Sequence, residues 1–154
     1  MGLNGSELAM RKTFIGLVLA SIFVLFSASA GTILAIRGHL PARFGGILHG
    51  NDVVQDFITF NGTALSAPLL LLVGQIVFTV LIFRSGKVGM AGVVGLTILG
   101  VCYTIGELGE PILVRTFNPA TFDVTLAVVL IANIVFPLIM VVFGVMEWRI
   151  RRKA

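Results

Sequence analysis

The sequence predicts an all-α, polytopic membrane protein: a four-transmembrane-helix antiparallel bundle with a short amphipathic helix at its outer interface. The first observation behind this is a set of four long uncharged runs. No Asp, Glu, Lys or Arg occurs between Lys12 and Arg37, Asp56 and Arg84, Lys87 and Glu107, or Asp123 and Glu147. Each run holds the roughly 20 apolar residues that a helix rising about 1.5 Å per residue needs to cross about 30 Å of hydrocarbon. The second is composition. A chain that is 57% hydrophobic and only 12% charged, with a mean hydropathy of +1.06, lies outside the range of soluble domains. The third is where the basic residues sit. Eight of the eleven fall before the first run, between the second and third, or after the fourth, and only Arg37, Arg43 and Arg115 fall on the other side. Positive residues stay inside, so both termini are expected in the cytoplasm. The net charge of +4 thus belongs to the membrane flanks, and no nucleic-acid partner is expected. The spans leave no room for a soluble unit, so residues 1–154 read as one integral membrane domain.

The first span is expected over about 13–36. Its start resembles a secretory leader, with Arg11-Lys12, an apolar stretch and Ala28-Ser29-Ala30. The apolar run continues through residues 32–36, however, so retention as a span is the better reading. Ser27 and Gly31 then stand in small-xxx-small register and predict close helix contact. The outer connection that follows has turns at Gly45-Gly46 and Gly50-Asn51. It then has a short amphipathic helix over 52–60, capped by Asn51 or Asp52, with Val53, Phe57 and Phe60 on one face. Asn61-Gly62 ends it.

The second span is expected over about 63–83, with Pro68 in its first turns. A tight turn at Ser85-Gly86 makes the third span, about 88–106, its antiparallel neighbour. That third span carries Gly89, Gly92, Gly95 and Gly100. The first three, at steps of three, form a groove for another helix. The fourth span is expected over about 124–146, capped by Asp123, with Pro137 withdrawing the helical donor from the carbonyl of Asn133 and kinking the helix.

Polar residues inside spans are few, because each must find a partner in lipid. Gln75 and Asn133 lie at depths that differ by roughly 4.5 Å at 1.5 Å per residue, which brings them within reach of each other. An interhelical hydrogen bond between them is the simplest role, and a place on a solute path the alternative. Glu107 and Glu110, at i, i+3, present two carboxylates at a membrane mouth, with Arg115 placed to close a charge pair; a cation site is the competing reading. His39 and His49, with Asp52 and Asp56, match no metal-site spacing. No metal or cofactor is expected. Cys102 stands alone and reads as a small packing residue. Asn61-Gly62-Thr63 is formally a glycosylation sequon. Eight Arg against three Lys points to a bacterial source, so the location expected is the plasma membrane, without a glycan.

Absent motifs narrow the function. The chain has no GxGxxG after a strand, no phosphate-binding loop, no CxxC and no HExxH. No histidine lies in a span to hold haem. No acid lies in spans one, two or four to drive proton coupling. The first reading is therefore a non-enzymatic membrane protein acting through helix association, as an accessory subunit or a self-associating bundle. Its partners would be the lipid bilayer and a second copy or another membrane protein. The second reading is an oligomeric channel or transporter for a small ion or solute. The third, a membrane enzyme acting on a lipid or quinone at the outer interface, ranks last because no nucleophile, base and orienter assemble.

Overall fold

Pro68 shapes the second apolar run. It has no N–H and disfavours helical backbone at the residue before it, so a helix begins after it, not across it. The computed structural model of this chain describes residues 5–43, 50–59 and 61–153. They form six helices, in order α1 (Gly5–Gly38), α2 (Val53–Ile58), α3 (Leu69–Leu81), α4 (Gly86–Gly109), α5 (Ile112–Thr116) and α6 (Val124–Arg151). The chain is 76% helical, with no strand among the described residues.

Three helical stretches are long and apolar enough to cross a membrane: Arg11–Gly38, Gly86–Gly109 and Val124–Arg151. They support an integral membrane protein. The second run departs from expectation. Its helix starts at Leu69 with Pro68 as N-cap, and its 13 residues reach only about 20 Å. Residues 62–66 before it are buried yet irregular. Such backbone is tolerated at membrane depth only when protein satisfies its polar groups. Here the Thr63 N–H donates to the Ser66 carbonyl at 2.8 Å, and the Ala64 N–H to the Leu40 carbonyl at 3.2 Å. The Leu65 carbonyl accepts the Asn133 side-chain amide at 2.7 Å.

The other helices outrun the expected spans because a charged residue ends an apolar run without ending a helix. Glu147, Arg149 and Arg151 are good helix formers and continue α6 beyond residue 146. This corrects the expectation of an acid-free fourth span, since Glu147 sits inside α6 and is only 1% exposed. Asp123 caps α6 as expected, its Oδ1 accepting the N–H groups of Thr125 and Leu126 at 2.8 and 3.1 Å. Asp52 does the same for α2, accepting from Val54 and Gln55 at 2.9 and 3.0 Å. Val53 on α2 is buried with Ala35, Leu65, Ile112 and Leu130, so this helix is packed on its own chain. Gly45, Gly46, His49 and Phe60 lie outside the described residues.

Helix α6 packs along both α1 and α4, and α3 lies against α4. Phe23 stacks on Phe136 at 5.1 Å, and Thr13 Oγ1 donates to Glu147 Oε2 at 2.6 Å, so α1 and α6 are antiparallel, with the start of α1 and the end of α6 at one end, the termini end. The Ile82 carbonyl accepts Arg151 Nη2 at 3.0 Å, which puts the α3–α4 turn at that same end. The α2 and α5 segments lie at the other, the loop end. The glycine groove of α4 is filled from within the chain. A Cβ at Gly92 would stand 2.7 Å from the Ile82 nitrogen, and one at Gly95 2.5 Å from the Phe78 ring. Gly89 meets the Arg84 carbonyl, and Gly100 faces α6, where a Cβ would lie 2.9 Å from the Pro137 carbonyl oxygen. Gly31 lies directly against the Leu65 carbonyl. Ser27 is buried, its hydroxyl donating to the Val24 carbonyl of its own helix at 3.1 Å.

Candidate functional site

A cavity of about 340 Å³ opens at the loop end, walled by α1, the irregular segment before α3, α4 and α6. Its wall is mostly apolar, from Val24, Ala28, Leu71, Leu72, Ile105 and Pro137. Its polar groups are few and converge from separate elements. Tyr103 and Glu107 are four apart on α4 and so share a face. Glu110 caps the carboxyl end of that helix. Asn133 comes from the helical turn that Pro137 deprives of a donor. Asn61, Thr63 and Ser66 come from the irregular segment.

Most of these groups are fixed by partners. The Tyr103 hydroxyl donates to the Leu71 carbonyl at 2.9 Å. Asn133 holds the Leu65 carbonyl and lines the cavity together with Glu107. Glu110 accepts the Arg43 backbone N–H at 3.2 and 3.0 Å. Burial pushes the Glu110 carboxyl above the ordinary carboxylate range, and the Arg43 N–H pulls partly the other way. Glu107 is different. The residue is 8% exposed, and its Oε2 is buried without a hydrogen-bond partner among the described residues. A carboxylate so placed costs free energy until a proton or a cation satisfies it.

The structure brings together part of the expected site and disperses the rest. Glu107, Glu110 and Asn133 meet at the cavity. Arg115 does not join them: α4 stops at Gly109, and Arg115 on α5 is exposed, with no ion pair among the described residues. Gln75 and Asn133 do not bond to each other. Gln75 Nε2 donates to the Ser21 carbonyl and hydroxyl oxygens at 2.9 and 3.0 Å, about ten residues or roughly 15 Å along α1 from Gly31, which faces Asn133. His39 is exposed, and no group of three or more His, Cys, Asp or Glu among the described residues is placed to hold a metal ion. Asp52 caps α2, and Asp56 is buried, accepting from Asn61 at 3.1 Å.

Two features went unread in the sequence. Tyr103 is four residues before Glu107, a signal that was available. The Thr13, Glu147 and Arg151 cluster was foreshadowed only by the i, i+4 spacing of its acid and base, which the structure pairs at 2.8 Å. Compared with protein families, with curated proteins and with solved structures, the chain matches none.

Proposed function

We propose that this protein binds a small organic cation in the loop-end cavity as a membrane transport protein, with Glu107 as the counter-charge. The observation that carries the reading is the buried, unpartnered Oε2 of Glu107 on the wall of a cavity with no ion pair at its acids among the described residues. A cavity of this size, mostly apolar with a few convergent polar groups, has the character of a small-molecule site. A bare divalent ion asks for six or more oxygen ligands, whereas an alkylammonium asks for one carboxylate, an aromatic face and apolar walls. Glu107 supplies the first, Tyr103 the second, and Val24, Ala28 and Leu72 the third. Glu110 and Asn133 add polar groups to the same wall.

The setting is a plasma membrane crossed four times, with residues 63–68 and α3 together making the second crossing and both termini in the cytoplasm. The cavity then opens toward the outer leaflet. Gly31, Gly89, Gly92, Gly95 and Gly100, the small residues that could seat a partner helix, face atoms of this same chain, so transport moves ahead of an accessory role, although a second copy can still complete the path.

The test is thermal stability of the detergent-purified full chain against a series of alkylammonium ions, followed by flux in proteoliposomes. Wild type is expected to be stabilised by at least one member and to carry it across the bilayer, and Glu107→Gln to remain folded and lose both responses. Equal stabilisation of the Gln variant, or no response of wild type to any member, overturns the reading.

A further inference from the structure

A second cavity, of about 910 Å³, lies at the termini end, far along the helices from the Glu107 site. Arg11, Arg84, Lys87 and Arg151 line it, with Glu147 the single acid among its described lining residues. That acid is already committed, accepting the Thr13 hydroxyl and pairing with Arg151. Arg151 itself is fixed, with its Nη2 on the Ile82 carbonyl and its guanidinium 5.8 Å from the centre of the Phe14 ring. Arg11, Arg84 and Lys87 are exposed and form no salt bridge among the described residues. Apart from Ser85 and Gly86 at the turn, the remaining wall is apolar: Phe14, Ile82, Phe83 and Met90.

The backbone adds to the positive field. Ser85 caps α4 without a side-chain hydrogen bond, so no side chain among the described residues satisfies the first N–H groups of a 24-residue helix that begins at this cavity. Gly86 leaves space there, since a Cβ built on it would meet nothing within 4 Å. Phe83 and Val88, 62% and 51% exposed, bracket the turn and mark the level at which apolar surface meets the charged flank.

From this geometry we infer that the termini-end cavity is a binding site for the phosphate headgroup of an anionic phospholipid. The phosphodiester sits among Arg11, Arg84, Lys87 and the amino end of α4, and an acyl chain lies along Phe14, Phe83 and Met90. Basic pockets between membrane helices suit such headgroups, and each added cation near the surface strengthens the attraction. The apolar half of the wall selects a lipid over a free phosphate, which has nothing to place there. The site is independent of the cation-binding reading, because it shares no lining residue with the loop-end cavity.

The experiment measures thermal stabilisation of the detergent-purified full chain by dioleoyl phosphatidylglycerol, with dioleoyl phosphatidylcholine and inorganic phosphate as comparison arms. Phosphatidylglycerol is expected to raise the Tm where the other two do not. Replacing Arg84 and Lys87 together by Gln is expected to weaken the apparent affinity by about tenfold or more while the protein elutes as wild type on size exclusion. The matched control is Arg149→Gln with Lys153→Gln, which removes the same charge from exposed positions outside the cavity and is expected to retain most of the response. Equal stabilisation by the two lipids, equal stabilisation by inorganic phosphate, or an equal loss in the control pair would each overturn the proposal.

Discussion

At the scale of single residues, hydrogen-bond partners separate two carboxyls that look alike in sequence. Glu107 and Glu110 are three apart and both are 8% exposed, yet Glu110 accepts the Arg43 N–H through both oxygens while Glu107 has one oxygen with no partner. The consequence for Glu110 is a dependence of stability on pH. Its carboxyl titrates above the ordinary value in the folded protein, chiefly because of burial. The folded state therefore holds a proton that the unfolded state releases near pH 4.3. The stability this contributes is full below that pH and is lost as pH rises through the raised folded value. Glu110→Gln keeps an acceptor for Arg43 and removes the titration, so its Tm is expected to vary less than wild type over that window. Parallel Tm–pH curves for the two proteins would refute this. The pairing of acids was legible in the sequence because i, i+3 spacing on a helix is local geometry. The failure of Arg115 to join them was not, because Pro111 starts a separate short helix and turns that side chain out to solvent.

At the scale of elements, close approach explains where the chain follows its hydropathy and where it does not. Helix starts at Asp52 and Asp123 were legible because side-chain capping is a local signal. The shortened α3 was not, because the irregular backbone before it also relies on partners far away in sequence: Asn133 and Leu40 for a carbonyl and an N–H group, and Gly31 for the space it occupies. Gly31 is therefore the residue on which that segment depends. Gly31→Ala places a methyl against the Leu65 carbonyl, a backbone atom that cannot rotate away. It is expected to cost about 1–3 kcal/mol, the usual range for overpacking a tight site. Gly74 on α3 has nothing within 4 Å of its built Cβ, so Gly74→Ala is expected to be neutral or to stabilise by up to about 1 kcal/mol through helix propensity. Detergent thermal melts of the two variants check the contrast, and equal loss in both would show that the Leu65 segment gives way at little cost.

At the scale of the whole molecule, the two ends of the helices differ in charge, and that difference carries a prediction of orientation. The contacts of Thr13 with Glu147 and of Arg151 with the Ile82 carbonyl put the start of α1, the end of α6 and the α3–α4 turn at one end, which is where eight of the eleven basic residues fall. The charge count and the helix packing are independent, one taken from residue type and the other from geometry, and they agree on which segments share a side. Positive flanks are retained in the cytoplasm, so the termini end is expected there and the cavity holding Glu107 on the opposite face. Asn118, exposed in the turn between α5 and α6, and Ser85, exposed in the α3–α4 turn, report on the two sides. Cys102 is exposed and replaced by Ala first, so that no native thiol contributes. Asn118→Cys is then expected to react with a membrane-impermeant maleimide on intact cells, and Ser85→Cys only after the membrane is opened. The opposite labelling would place the basic cavity outside and the acidic one inside. The phospholipid site would then face the other leaflet, and the cation would enter from the cytoplasm.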